Sequence, residues 1–91
     1  MKAIIAAAPG EVDSVSYGVL QPPEVRPDQV RIAVRSAGVN FADLLLIQGK
    51  YQDKPAYPFA PGLEISGVVI EGHGVTANAL IGKRVMAAVA H

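Results

Sequence analysis

Apolar and polar positions alternate most regularly from Gln29 onward. Val30, Ile32 and Val34 fall on one side, while Arg31, Ala33 and Arg35 fall on the other. A period of two with one apolar face predicts a half-buried strand. Residues 2–8 put six apolar positions after Lys2 and stop at Pro9-Gly10, which predicts a first strand. A second short strand is predicted through Val15–Leu20. Pro22, Pro23 and Pro27 then impose an extended loop, because proline has no amide hydrogen to give a ladder.

The pattern changes at Asn40. Phe41-Ala42-Asp43-Leu44-Leu45-Leu46-Ile47-Gln48 follows a good N-cap residue and precedes Gly49, a good C′ residue, which predicts a helix of about two turns. It is the one convincing helix. Pro55, Pro58 and Pro61 mark another loop, after which Ile65–Glu71 reads as strand with Gly67 at a bulge or kink. Gly72-His73-Gly74 turns the chain, and Arg84 to Ala90 predicts a last strand. Short strands, prolines at the joints and one short helix describe a mainly β domain, a small barrel or sandwich. A closed barrel has no edges, whereas a strand running to the last residues leaves one bare.

Composition narrows the function classes. A chain of 91 residues with 51% hydrophobic and 18% charged residues is one folded domain at most, of marginal stability. Eight basic residues balance eight acidic ones without a basic run, which argues against nucleic acid and anionic membrane surfaces. No apolar run approaches the ~20 residues that span a bilayer, and six apolar residues after Lys2 fall short of an export signal. A soluble, cytoplasmic protein is expected. The absence of cysteine removes disulfides and thiolate metal sites and is compatible with the cytosol.

Three motifs stand in order: Ala37-Gly38-Val39-Asn40-Phe41-Ala42-Asp43, then Gly49-Lys50-Tyr51, then Pro58-Phe59-Ala60-Pro61-Gly62-Leu63-Glu64-Ile65-Ser66-Gly67-Val68-Val69. With Met1–Ile5 and Gly82–Ala87, this succession resembles the N-terminal GroES-like domain of zinc-free quinone oxidoreductases in the medium-chain dehydrogenase/reductase superfamily. The resemblance covers essentially the whole chain. It implies a partial GroES-like β-barrel over residues 1–91, incomplete at its C-terminus, with the Rossmann cofactor domain absent.

The resemblance also shapes the candidate chemistry. Zinc-dependent relatives hold their metal with the cysteine of a G-x-C-x-x-D turn and the histidine of a G-H-E turn, and these positions are Asn40 and Leu63 here. Asparagine is a poor zinc ligand and leucine is none, so no metal site is expected. His73, in a glycine turn, and His91, at the terminus, do not replace them. An oxygen that gains charge as hydride arrives must then be stabilised by hydrogen-bond donors. Asn40 and Tyr51 are the catalytic candidates. The resemblance places Asn40 beside the nicotinamide, so it is also the cofactor-binding candidate, and Tyr51 on the substrate cleft.

Plainer roles stand beside these. Asn40 is equally suited to capping the helix, and Tyr51 to being a rim aromatic with a solvated hydroxyl. Asp43 and Glu64 sit where the family places acidic residues; structural support is expected of both, with Arg35 or Arg84 as available partners. Tyr57 and Phe59 suit either a cleft wall or a core. Leu45 stands where some quinone reductases carry a second tyrosine, which makes the cleft more apolar, and Lys83 replaces an acidic residue in the G-D-R-V turn. Gly72-His73-Gly74-Val75-Thr76-Ala77 matches the dinucleotide pattern G-x-G-x-x-A, but too few residues follow for the required helix and acidic residue. A hairpin turn is expected instead.

The leading expectation is the substrate-side fragment of an NAD(P)H-dependent quinone or enone reductase, inactive alone. NADP(H) or NAD(H) would belong to the full-length parent, with no cofactor for this chain by itself and no zinc. The alternative is a free-standing GroES-like binding or assembly module. A bare edge strand further suggests homodimerisation.

Overall fold

The computed structural model describes residues 1–89. In chain order the elements are β1 (Lys2–Ile5), β2 (Ser16–Val19), β3 (Val30–Ala37), α1 (Phe41–Gln48), β4 (Glu64–Gly72), α2 (Val75–Ala79) and β5 (Arg84–Ala88), with a 3₁₀ turn at Val12–Ser14. The protein is mainly β, as the alternation predicts. Its described strands form a two-stranded and a three-stranded sheet in place of a closed barrel. They gather into two compact units: Met1–Pro22, Val39–Leu63 and Val89 form one, and Pro23–Gly38 with Glu64–Ala88 the other.

In the first unit β1 and β2 pair antiparallel, with Lys2 opposite Val19 and Ile5 opposite Ser16. The first strand is shorter than the apolar run through residue 8. After Ile5 the chain changes partner: the Ala6 amide donates to the Phe59 carbonyl at 2.9 Å, and the Phe59 amide donates back at 3.1 Å. That bridge brings the second proline loop onto the start of the chain. Around it lies the core of this unit, Ala6, Leu46, Ile47 and Phe59, with Val15, Tyr51, Tyr57 and Leu63 packed against it. The α1 helix contributes Leu46, 1% exposed, and Ile47.

The second unit is an antiparallel meander, β3-β4-β5. Gly67 was expected at a bulge or kink; of the two register shifts in the β3–β4 ladder, one lies between Arg31 and Ile32 and the other beside Gly67, between Val34 and Ser36 of β3, while Gly67 itself pairs with Val34 and Val85. A Cβ at Gly67 would collide with the Ala33 carbonyl oxygen, so what matters here is room for the neighbouring backbone. The segment after Gly74 is also more than a hairpin turn. It forms the five-residue helix α2, whose Ala77 is buried, and a Cβ at Gly72 would lie 2.7 Å from the Ala77 carbonyl oxygen. Asp28, at φ 61°, donates its amide to the His73 carbonyl at 2.9 Å and so ties the first proline loop to this turn. The last strand ends at Ala88; Ala90 and His91 lie outside the described residues. Among those residues β5 has β4 as its one ladder partner.

Candidate functional site

Both sequence candidates belong to the first unit, and α1 positions them. Asn40 occupies the N-cap with extended backbone, φ −127° and ψ 162°. Its amide donates to Asp43 Oδ2 at 2.8 Å, and the Asp43 amide donates to the Asn40 carbonyl at 3.0 Å. Asn40 and Asp43 thus form a capping box. In it the Asn40 side chain also faces the Asp43 amide, but that amide already has its close acceptor in the Asn40 backbone oxygen. The Asn40 side chain is exposed, its capping contact turned to the Asp43 amide, and it is flanked by Val39 at 89% and Phe41 at 74% exposure.

The other end of α1 is closed by backbone and by a phenol. Gly49 takes the left-handed conformation, φ 73°, its amide donating to Leu46 at 3.2 Å while that of Lys50 donates to Leu45 at 2.8 Å. This is the Schellman arrangement, which a glycine at C′ allows without a Cβ penalty. The Tyr57 hydroxyl donates to the Leu46 carbonyl at 3.0 Å and lies 3.3 Å from that of Ile47. The Tyr57 ring meets Phe59 edge to face, centroids 5.0 Å apart. Both aromatics are therefore core and cap, which resolves the choice between cleft wall and core.

Tyr51 follows Gly49 by two residues and is half-buried against the core cluster. Asn40 and Tyr51 thus stand at opposite ends of α1, with a helix of about 12 Å between them. The fold does not bring them into one tight pair; a molecule reaching both would lie along the helix. Leu63, at the second position where metal-dependent relatives carry a ligand, is half-buried and packs against the same core. Among the described residues no group of three or more His, Asp or Glu side chains is placed to hold a metal.

The carboxylates divide their roles. Asp43 is buried, and its Oδ1 has no hydrogen-bond partner among the described residues. Glu64 belongs to the second unit, where its side chain lies over Gly38, so closely that a Cβ there would overlap it. Among the described residues neither forms an ion pair with Arg35 or Arg84. The arginine that does pair is Arg31, whose Nε meets Glu71 Oε1 at 3.2 Å, while His73 Nε2 lies 2.9 Å from Glu71 Oε2. The hydrogen bond from His73, then that from Arg31, hold the Glu71 carboxyl below its ordinary value.

Two open depressions lie on the three-stranded sheet. One, of about 460 Å³, is lined by Ser36, Gly38, Glu64, Ser66 and Met86 among others. The second, of about 590 Å³, is lined by Arg35, Ser66, Val68, Arg84 and Met86 among others. Neither is lined by Asn40 or Tyr51. The G-x-G-x-x-A segment does not fit a dinucleotide either: α2 is one short turn and leads into an antiparallel strand, not a parallel crossover. Its His73 amide is already directed to the Gln29 carbonyl at 3.4 Å.

Sequence reasoning missed the lock between Asp43 and Asn40, the hydroxyl cap from Tyr57, and α2. The first had a signal, since an acidic residue three positions after an N-cap is capping-box spacing. The second had none, because residues ten and eleven apart meet only once the proline loop is folded.

Comparison with known proteins adds the family. Residues 26–90 match the model of the alcohol dehydrogenase GroES-like domain. The quinone oxidoreductase-like protein 2 homolog of Nematostella vectensis is 53% identical over 58 residues, 64% of this chain and 16% of that protein. The crystal structure of the human synaptic vesicle membrane protein VAT-1 homolog-like protein superimposes with a TM-score of 0.85 at 36% identity, over 98% of this chain and 29% of that one. The quinone oxidoreductase of Thermus thermophilus, solved alone and with NADPH, superimposes with a TM-score of 0.70 at 31% identity, over 98% of this chain and 26% of that one. The chain therefore spans less than a third of the length of these relatives. Among the described residues no helix is long and apolar enough to cross a membrane.

Proposed function

Since the chain belongs to the alcohol dehydrogenase GroES-like family, within the medium-chain dehydrogenase/reductase superfamily, we propose that it is the substrate-side part of a zinc-independent NAD(P)H:quinone or enone reductase. The observation that carries this reading is the Asn40 amide, exposed at a capped helix start where zinc-dependent relatives place a cysteine ligand. In such reductases the nicotinamide supplies hydride. The described residues offer the dinucleotide no phosphate cradle, so its binding falls to the remainder of the parent protein, with NADP(H) favoured by the NADPH complex of the Thermus relative.

What this chain contributes is a donor. An asparagine amide held at the N-terminus of α1 can give a hydrogen bond to a carbonyl or quinone oxygen as negative charge grows there, and the helix dipole adds positive potential. Half-buried Tyr51, beyond the far end of the helix, fits the wall of an elongated cleft. A cytosolic setting belongs to this reading, and the lack of cysteine is compatible with it. The outer edge of β5, which has no ladder partner among the described residues, supports pairing of isolated chains with each other. An assembly module of the co-chaperonin kind would need a mobile loop with an apolar anchor, whereas Leu44–Ile47 stands in α1 with Leu46 and Ile47 buried.

The test is Asn40→Ala in the intact reductase, with saturating NADPH and a simple quinone. Loss of one such donor is expected to lower kcat by about a hundredfold. An unchanged kcat would refute the donor role. The 91-residue chain alone is expected to show no steady NADPH oxidation.

A further inference from the structure

Resting on the reading of Asn40 as the cleft's donor, we propose that Asp43 is a positioning residue for the reduction, acting through Asn40 without touching substrate. Asp43 is 7% exposed, the one buried charged residue among those described. A carboxylate taken that far out of water ordinarily has donors for both oxygens. Here Oδ2 receives the Asn40 amide at 2.8 Å, and Oδ1 receives nothing from the described residues.

The side chain's one hydrogen bond within the described residues therefore runs to Asn40. Among the described residues no arginine forms an ion pair with Asp43: Arg31 is engaged with Glu71, and neither Arg35 nor Arg84 pairs there. A core position would be filled more cheaply by leucine, and an ordinary cap would sit in water. A shielded acceptor does something else: it fixes the Asn40 backbone, and the backbone conformation in turn restricts where the side-chain amide can emerge. The exposed Val39 and Phe41 on either side leave that amide approachable. Small misplacement of a group that must meet a developing charge has a large kinetic effect, about a hundredfold for 1 Å.

A double-mutant cycle in the intact reductase tests this, read as kcat and KM with NADPH and a simple quinone, alongside thermal midpoints. Asp43→Ala is expected to lower kcat by about tenfold while KM moves less than about twofold, the mark of lost positioning at the reacting atoms. Asp43→Asn keeps an acceptor oxygen toward Asn40 and should restore kcat to within about threefold of wild type. On an Asn40→Ala background, Asp43→Ala should cost nothing further. Should the alanine variant fail to fold, Asp43→Leu keeps the branching at Cγ, fills the site with apolar atoms, drops the acceptor and is expected to give the same pattern.

If the Asp43 substitution costs its full factor on the Asn40→Ala background, it acts independently of Asn40. The positioning role is then overturned while the donor reading stands. If Asn40→Ala itself is silent, the donor reading falls and takes the positioning role with it. A wild-type kcat in folded Asp43→Ala or Asp43→Leu overturns the positioning role alone.

Discussion

The two units reach order by different means. In the first, short β1 and β2 add little, and a compact cluster of Ala6, Leu46, Ile47 and Phe59 organises helix and loops around itself. In the second, only Val69 and Ala77 are buried apolar residues among those described, and antiparallel ladders over β3, β4 and β5, shifted in register at two points between β3 and β4, carry the structure. The contrast is between side-chain packing and backbone proximity. The candidate side chains Asn40 and Tyr51 lie in the first unit, beside a helix that is capped at both ends.

Substitutions that strike each mechanism sharpen the contrast. The largest effect is expected for Leu46→Ala, which opens a cavity at a residue 1% exposed and should cost about 3 kcal/mol in chemical denaturation. A cost below about 1 kcal/mol would show that the cluster does not organise this unit. Gly67→Ala comes next, at about 1–3 kcal/mol, because the new methyl meets the Ala33 backbone oxygen and β3 must move. Gly38→Ala is the matched control: the nearest atoms to its methyl belong to the flexible Glu64 side chain, so a loss comparable to that of Gly67→Ala would contradict the backbone-proximity account.

How far the sequence discloses each unit follows the same division. The α1 helix is legible to the residue, since Asn40, Asp43 and Gly49 are local signals for its two ends. The alternation of Val30, Ile32 and Val34 marks β3, and the apolar run around Gly67 marks β4, although the shift beside Gly67 puts the extra residue, Arg35, on β3 because register depends on both strands. Helix α2 is obscured by its glycine turn and brevity; its Ala77 backbone can lie close to β4 because Gly72 carries no Cβ. The candidate Asn40 is visible through its motif. Its partner's burial and the distance separating it from Tyr51 emerge only with the tertiary fold.

The smallest expected effect is electrostatic. Glu71 has its folded-state carboxyl held below the ordinary value of 4.5 by His73 and Arg31. A depressed folded value means its stabilisation is present above the unfolded value and is lost as pH falls through the folded one. The thermal midpoint of wild type should therefore fall slightly more steeply than that of Glu71→Gln below about pH 4.5, and parallel curves would remove the contribution. The group is at the surface, so added salt should narrow the difference.

The central claim is that these residues work as the substrate-side part of a larger reductase. It is tested most directly by the mass of the native product in source-cell extract, detected with an antibody raised against this chain. The expected result is a species several-fold heavier than 9.5 kDa that also oxidises NADPH with a quinone. A native species at 9.5 kDa would contradict the claim.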